Sequence, residues 1–283
     1  MRKTLFLLCI LISNTLLAQL QIGPFLGAGG YLGDLNYTPL KRVKPAIGVA
    51  GIYEIRKRFS LRGGITFGKL EGGDQWSGTT YLKENRNLSF KSNISEFSLV
   101  AEVTAFNLDK INWSPYAFAG VALFHFNPYV EDSGSKTYLK PLSTEGQGLA
   151  EYPNRKPYSL NQFSIPFGGG IKYILSDNVT LDLEMGLRRS STDYLDDVST
   201  NFVDPDILLQ QRGATAVRLS YRGDEIPGGI AAFPDNGYPM KDTQRGSIKY
   251  KDWYYFTGFH LYFRLQGNSG GGKKEYGCPV NVF

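Results

Sequence analysis

The chain has few of the residues that most metal and enzyme sites require. It contains two cysteines and two histidines in 283 residues, and neither His125 nor His260 has a partner at zinc-ligand spacing. Cys9 lies in an apolar N-terminal run, so Cys278 is the single thiol outside that run and an internal disulfide is not expected. We therefore expect no metal and no cofactor, and we assign no catalytic residue.

Charge of one sign and long apolar runs are also scarce. The net charge of +5 is too small to indicate a nucleic-acid partner. A spanning helix needs about 20 apolar residues, and no such stretch follows residue 18. Residues 1–18 combine a basic start, a short apolar run and Ala18 at the end, which predicts a signal peptide and export from the cytoplasm.

Aromatic residues and glycine are abundant, at 14% and 33 residues respectively. This combination is typical of a membrane β-barrel, with aromatic girdles outside and small residues inside. Residues 253–266 place an apolar side chain at nearly every odd position, whereas His260 and Arg264 occupy even positions. Because a strand points successive side chains to opposite faces, this pattern predicts one lipid-facing face and one lumen-facing face.

The sequence predicts seven further strands. The fifth has apolar residues on both faces, so its phase, that is, which of its faces points to the lumen, stays open. The seven strands are residues 21–32, 45–55, 59–70, 93–106, 113–126, 162–175 and 179–188. The connections after the second, fourth and sixth strands are short and the others are long, and Asp204, Pro205 and Gly213 predict a short helix within the last.

The regular alternation of long and short connections predicts an all-β fold. We expect an eight-stranded antiparallel transmembrane β-barrel with long external loops and short periplasmic turns. We expect the barrel to comprise residues 19–266 in the outer membrane of a Gram-negative bacterium. Both mature termini would be periplasmic, including a C-terminal tail of residues 267–283.

The even-numbered face of the strands contains small residues and sparse charges, and we expect it to line the lumen. Eight strands leave an interior that side chains can fill, so a paired charge network would close the barrel. The expected members are Arg62, Glu96, Glu102, Lys172, Asp182, Glu184, Arg188, His260 and Arg264. A proton or ion path is the alternative interpretation of the same residues.

Several short segments, taken in order along the chain, resemble the PorG family of outer-membrane barrels. These are GDLN (33–36), RNLSF (86–90), TEGQG (144–148), KPYSL (156–160), TDYLDDVS (192–199), DWYYF (252–256) and the Cys278–Pro279 pair. The resemblance implies a non-enzymatic component of the type IX secretion system that associates with the periplasmic ring proteins PorK and PorN.

The resemblance also singles out loop residues, namely Asp34, Asn36, Glu145, Asp193, Tyr194, Asp196 and Asp197. In the tail, Tyr276, Cys278, Pro279 and Phe283 are candidates for partner binding, because the tail carries apolar anchor residues and an exported cysteine without an internal partner. The three loop aspartates of TDYLDDVS could instead be solvated or cap a turn. Trp253, Tyr254 and Tyr255 could instead form an interfacial girdle.

Two other functions remain open. An autonomous surface barrel would act as an adhesin or stabilise the membrane through its loops. A lipid-modifying barrel enzyme would need a serine and a histidine together at the lipid-facing rim, and no serine stands beside His125 in the sequence.

Overall fold

The computed structural model describes residues 20–76, 86–132, 134–226 and 241–265. These contain nine strands and two α-helices, besides short 3₁₀ turns. The strands are β1 (Leu20–Leu32), β2 (Lys44–Arg56), β3 (Phe59–Gly73), β4 (Ser89–Thr104), β5 (Trp113–Asp132), β6 (Ser135–Tyr138), β7 (Asn161–Ser176), β8 (Val179–Ser190) and β9 (Trp253–Arg264). The helices are α1 (Pro205–Arg212) and α2 (Ala214–Ser220).

Eight of these strands close into an antiparallel barrel. The ladder runs β4–β3–β2–β1–β9–β8–β7–β5, and the pairing of β4 with β5 joins its two ends. Strand β6 is a short extra hairpin partner for the end of β5. The predicted eight-stranded barrel is therefore confirmed, and closure leaves no exposed sheet edge around the wall.

All short connections lie at one end of the barrel. Residues 57–58, 105–112 and 177–178 join β2 to β3, β4 to β5 and β7 to β8. The first and last barrel strands also meet there, since the N–H of Leu265 donates to the carbonyl of Leu20 at 2.9 Å. We call this end the short-turn face.

The outer wall is an apolar belt. Large side chains such as Ile47, Phe97, Phe163 and Leu183 point outward, and each is more than half exposed. A belt of this kind would aggregate in water but suits the hydrocarbon of a bilayer, so the protein is an outer-membrane type of barrel. Trp113 and Tyr173, paired across β5 and β7, add aromatic side chains near the short-turn face.

The phase of β5, ambiguous in the sequence, is set by its neighbours. Tyr116, Phe118 and Phe124 are buried in the lumen, whereas Val121 and Leu123 face outward. Strands β3, β4 and β5 also extend beyond the predicted boundaries at the end opposite the short-turn face, because their ends pair within the folded long loops.

The long loops fold over that opposite end and form a compact layer, which we call the loop cap. Helix α1 begins where predicted, because Asp204 accepts hydrogen bonds from the N–H groups of Asp206 and Ile207 and Pro205 occupies the first turn. Helix α2 was not predicted. In the part of the chain that the structure describes, no helix is long and apolar enough to cross a membrane.

The loop cap has an apolar core of its own. Leu149, Tyr152, Val203, Leu208 and Ala216 form one cluster beneath the two helices. A second, larger cluster runs from the cap into the barrel and is described below.

Candidate functional site: the charged lumen and the loop cap

A network of ion pairs fills the lumen nearer the short-turn face. Arg62 Nε lies 2.7 Å from Glu102 Oε1, and its Nη1 lies 2.5 Å from Glu184 Oε2. Lys172 Nζ bridges Glu102 at 2.8 Å and Asp182 at 3.2 Å. These side chains come from β3, β4, β7 and β8, so the network ties opposite walls of the barrel together.

His260 belongs to the same network as a neutral acceptor. Its Nε2 lies 3.0 Å from Arg62 Nη1, and a guanidinium can only donate. The neutral tautomer therefore has its proton on Nδ1. The ring stacks on Tyr262 at a centroid distance of 5.1 Å, which fixes its orientation.

Arg188 extends the network toward the loop cap. Its Nε lies 3.3 Å from Glu96 Oε2, and the hydroxyl of Tyr254 donates to the same oxygen at 2.8 Å. All of these charged side chains are almost completely buried. A buried charge needs a close partner to offset its desolvation, and the network provides one for each of these residues.

Three of the carboxylates form a potential metal-binding group. Ligand atoms of Glu102, Asp182 and Glu184 lie within 4.8 Å of one another, and this is the one such group in the described residues. However, Lys172 and Arg62 already contact these carboxylates directly. The arrangement therefore matches an internal salt-bridge network better than a metal site.

Arg264 was predicted in the lumen, but the structure places it outside the buried network. It lies at the short-turn face, 3.5 Å from Glu54, and both side chains are 41% exposed. The prediction was wrong because Arg264 is the last residue of β9, where the wall ends. The two residues instead line a vestibule of about 320 Å³ that ends at Lys172 and Tyr262.

Aromatic side chains fill the lumen on the loop-cap side of the charges. Phe124 lies 5.1 Å from the ring of Tyr254, which lies 5.8 Å from that of Phe256. The pocket beside Arg62 and His260 holds about 20 Å³, roughly the space of one water molecule. The lumen is therefore closed along its length by ion pairs and then by rings.

The loop residues singled out by resemblance lie together in the loop cap. Asp34, Asn36, Glu145, Asp193, Asp196 and Asp197 are all buried, and Tyr194 is partly buried. The alternative interpretation of the aspartates as solvated loop residues is therefore wrong. Asp196 does cap a turn, because its Oδ1 accepts a hydrogen bond from the N–H of Val198 at 2.9 Å. Segments separated by more than 150 residues in sequence converge on one polar core.

Two buried arginines organise that core, and sequence analysis did not single out either. Arg86 makes a two-point contact with Asp74, at 2.8 Å from Nε and 2.6 Å from Nη2, and its Nη2 also donates to the carbonyl of Asp34. Arg245 pairs with Glu145 at 2.8 Å and donates to the carbonyl of Ser220 at 3.0 Å. Arg86 is the first residue of the RNLSF segment, whereas no motif in the sequence pointed to Arg245.

The TEGQG segment is a tight turn built around Glu145. The Glu145 carboxylate accepts hydrogen bonds from the N–H groups of Ser199 and Thr200, each at 2.9 Å. Gly146 and Gly148 have φ angles of 76° and 79°, a region that favours glycine. The segment thus anchors the TDYLDDVS loop to the cap.

A second acidic group surrounds Tyr31. The Tyr31 hydroxyl lies 2.5 Å from Asp196 and 3.0 Å from Asp252. It has a single proton to donate, so one of the two carboxyls must itself be protonated to hydrogen-bond back. Burial and the charge of the neighbouring carboxyl raise the pKa of Asp252 well above its usual range, and burial does the same for Asp196.

The pKa values of other carboxyls of the cap are also raised. Burial raises the pKa of Asp193 to about 7 and that of Asp197 to about 6. The pKa of Asp34 is also raised by burial, against the opposing effect of the Ser247 N–H. The cap core therefore holds more acidic groups than its arginines neutralise.

The interfacial-girdle interpretation fails for two of its three residues. Tyr254 lies in the lumen, and Tyr255 is covered by the loop after β1, where its hydroxyl accepts from the N–H of Leu40 at 2.8 Å. Trp253 remains partly exposed on the outer wall. The tail candidates Tyr276, Cys278, Pro279 and Phe283 and the signal-peptide residues 1–18 lie outside the described residues.

The comparison with solved structures returns small outer-membrane proteins. Neisserial surface protein A is 8% identical, with a TM-score of 0.42 over 87% of this chain and 97% of that chain. OprG from Pseudomonas aeruginosa is 9% identical, with a TM-score of 0.40 over 87% and 95%. These scores are low, and the barrel assignment rests on the strand register itself. The comparison with curated proteins finds no match.

A family model matches residues 1–206. It therefore spans the first seven strands of the barrel wall together with the first part of the loop cap, including the TEGQG and TDYLDDVS segments. The chain belongs to the family described as a domain of unknown function, DUF6089.

Proposed function

We propose that this protein is an outer-membrane component of the type IX protein secretion machinery and that its part in secretion is non-enzymatic. In this role it associates, through the short-turn face and the C-terminal tail, with the periplasmic ring built by PorK and PorN. The secretion role is one of contact and anchoring, and it involves neither transport through the lumen nor catalysis.

The closed lumen supports a contact role. The ion pairs around Arg62 and Lys172 and the rings of Phe124, Tyr254 and Phe256 leave space for about one water molecule beside Arg62. A barrel closed in this way does not conduct a protein or a large solute, so its partners must act on its surfaces.

The observation that carries the proposal is the position of the strand ends. β1 begins and β9 ends at the short-turn face, where Leu20 and Leu265 are hydrogen-bonded. Leu265 therefore lies on the side of the short turns, and this proposal takes that side as periplasmic because short turns face the periplasm in bacterial outer-membrane barrels. Three basic residues lie around the same vestibule: Arg56 at the end of β2, and Lys57 and Arg58 in the β2–β3 turn.

The test is affinity purification of the tagged barrel from detergent-solubilised outer membrane. Wild-type protein should copurify with PorK and PorN. Deletion of residues 267–283 should weaken that copurification and type IX secretion while leaving a heat-modifiable barrel.

The matched control is the double substitution Ile248→Ser and Tyr250→Ser on the opposite end of the molecule. These side chains are 69% and 68% exposed in the loop cap, so their loss should leave ring association unchanged. Full copurification and secretion after the tail deletion would refute docking through the tail. Absence of both ring proteins from the wild-type sample would refute the secretion role.

An autonomous surface barrel is the second candidate. The exposed Tyr37, Ile248 and Tyr250 of the loop cap favour it, because adhesive surfaces use such side chains. In that case the double substitution above should reduce binding of whole cells to a surface while secretion persists.

A further inference from the structure

A row of polar side chains crosses the outer wall near the loop cap. In the strand ladders Ser95 on β4 pairs with His125 on β5, and His125 pairs with Asn161 on β7. All three positions belong to the outward face, where Phe97 and Leu123 are the next outward residues toward the short-turn face. Serine, histidine and asparagine thus occupy adjacent strands at one level of the wall.

The contact between His125 and Asn161 sets the tautomer of the imidazole. His125 Nδ1 lies 2.7 Å from Asn161 Oδ1. With the side-chain carbonyl as acceptor, Nδ1 carries the proton and Nε2 has the free lone pair. This is the tautomer that a general base needs, and an asparagine holds the histidine in this way in some cysteine proteases.

Ser95 lies on the other side of His125 from Asn161. Directly opposite residues in an antiparallel pair have Cβ atoms about 4.5–5.5 Å apart, so side-chain rotation brings a serine hydroxyl within reach of the imidazole. With Nδ1 committed to Asn161 on β7, Nε2 is the nitrogen left for Ser95 on β4. Sequence analysis missed this pair because 30 residues separate its members and only the β4–β5 register joins them.

The surroundings indicate the substrate. On the side of the short-turn face the next outward row is Ile65, Phe97, Leu123 and Phe163, all at least 42% exposed. On the side of the loop cap, Lys69 pairs with Asn93. This pair places an ammonium and an amide at the edge of the apolar belt that is nearer to the loop cap. The apolar row suits the acyl chains of a lipid, and the pair of Lys69 and Asn93 suits an anionic head group. Ser95 lies between the two, at the level where the ester that joins acyl chain and head group would be.

We propose that Ser95, His125 and Asn161 form an esterase site on the outer wall that hydrolyses an acyl ester of a membrane lipid. Ser95 and His125 are the catalytic residues, and Asn161 positions His125. The site lies away from the short-turn face, so it is independent of the secretion role proposed above.

The reaction is acyl transfer to serine followed by hydrolysis. Ser95 Oγ attacks the ester carbonyl as His125 Nε2 takes its proton, and the C–O bond to the lipid alcohol breaks as His125 returns that proton to the alcohol. Water, activated by the same nitrogen, then cleaves the acyl-serine and releases a fatty acid. Lys69 and Asn93 supply N–H donors on the same face for the oxyanion.

The first test is covalent labelling of the full chain in detergent micelles with a fluorescent fluorophosphonate. Serine displaces fluoride from phosphorus only when a base activates it, so wild-type protein should be labelled at Ser95. Ser95→Ala and His125→Gln should each lose labelling, whereas the rim variant Ser191→Ala should retain it. Ser191 is an exposed serine that donates to Gln162 instead of a histidine.

The second test measures fatty-acid release by proteoliposomes of phosphatidylethanolamine and, separately, of vesicles containing hexa-acylated lipid A. Ser95→Ala should lower the rate to that of vesicles without protein, because removal of a triad nucleophile costs about a millionfold in kcat. Release from one vesicle type and not the other identifies the lipid source. Secretion and ring copurification should be unchanged in Ser95→Ala.

Asn161 needs a measurement that separates positioning from folding. Asn161→Ala should lower kcat, and Asn161→Asp should restore it while moving the acid limb of the pH–rate profile to higher pH, because a carboxylate stabilises the imidazolium. Heat-modifiable migration reports folding of every variant. Labelling that persists in Ser95→Ala, or no labelling and no fatty-acid release by folded wild-type protein, would refute the proposal.

Discussion

Buried charge is the dominant feature at the scale of single residues. Arg62, Arg86 and Arg245 are each less than a tenth exposed and each contact at least one carboxylate. Arginine suits such positions because its planar guanidinium donates several hydrogen bonds in fixed directions. These residues link parts of the chain that are distant in sequence. Substitution of any one of them should therefore destabilise more than the segment that contains it.

Arg245→Ala should selectively destabilise the loop cap. It leaves Glu145 without its cationic partner, and breaking a buried ion pair in this way typically costs about 3–5 kcal/mol. We expect faster trypsin cleavage within residues 191–226 with no loss of heat-modifiable migration. Lys249→Ala, an exposed change in the same loop, should leave cleavage unaltered, and equal cleavage of the two variants would contradict this role.

The stability of the loop cap should fall as pH rises. The pKa values of Asp193 and Asp197 are about 7 and about 6 in the folded protein, above the value of about 3.9 for an unfolded aspartate. A carboxyl with a raised folded pKa stabilises the fold fully below its unfolded pKa and loses that contribution as pH rises through the folded pKa. The pKa values of Asp34, Asp196 and Asp252 are also raised.

Hydrogen exchange of the cap amides measures this effect. Exchange corrected for its intrinsic pH dependence should show less protection at pH 8 than at pH 5, and Asp193→Asn should reduce the difference. Barrel amides of β8 at the lipid face serve as the internal control. Protection that is flat or rises over this interval would contradict the raised pKa values of Asp193 and Asp197.

At the scale of elements, glycines in the strands make room for rings in the lumen. A Cβ on Gly68 of β3 would lie 2.9 Å from the Phe256 ring, and one on Gly186 of β8 would lie 2.7 Å from the Phe118 ring. Both distances are too short for van der Waals contact. At these two positions glycine is therefore needed because the aromatic side chains that close the barrel occupy the space of a Cβ.

Gly68→Val and Gly63→Val form a matched pair on one strand. Overpacking against Phe256 should destabilise the first variant by about 1–3 kcal/mol, whereas a Cβ on outward Gly63 meets only Leu99, at 4.0 Å. The midpoint of unfolding in urea, followed by tryptophan fluorescence from lipid vesicles, compares the two. Equal midpoints would mean that Phe256 moves aside freely.

At the scale of the whole molecule, the lumen and the loop cap form one continuous plug. The large apolar cluster joins Phe124, Phe126 and Phe256 of the lumen to Leu35, Leu195 and Val198 of the cap. Ion pairs close the remaining length toward the short-turn face. Opening a channel would require moving the cap and breaking the ion pairs together.

Purified protein in planar bilayers should accordingly show negligible conductance. The expected result is a baseline current at moderate voltage, with a porin of known conductance inserted under the same conditions as the positive control. Stable single-channel steps from the folded monomer would contradict the closed lumen. Such steps would favour the alternative of an ion path along Arg62, Glu184 and His260.

The alternation of side chains was enough to predict the barrel, its eight strands and its lipid-facing face, because a strand repeats every two residues whatever its partners are. The helix at 205–212 was also predictable, since Asp204, Pro205 and Gly213 act on the backbone next to them. Both kinds of prediction depend on neighbours in sequence.

Contacts between distant residues were beyond the reach of such reasoning. The phase of β5, the place of Arg264 at the mouth of the barrel, and the buried core around Arg86 and Arg245 depend on which strands and loops meet. The pairing of Ser95 with His125 is set by the register of β4 against β5, and a shift of one residue would turn the two side chains to opposite faces. Register and loop packing are properties of the closed barrel, so only the folded chain reveals them.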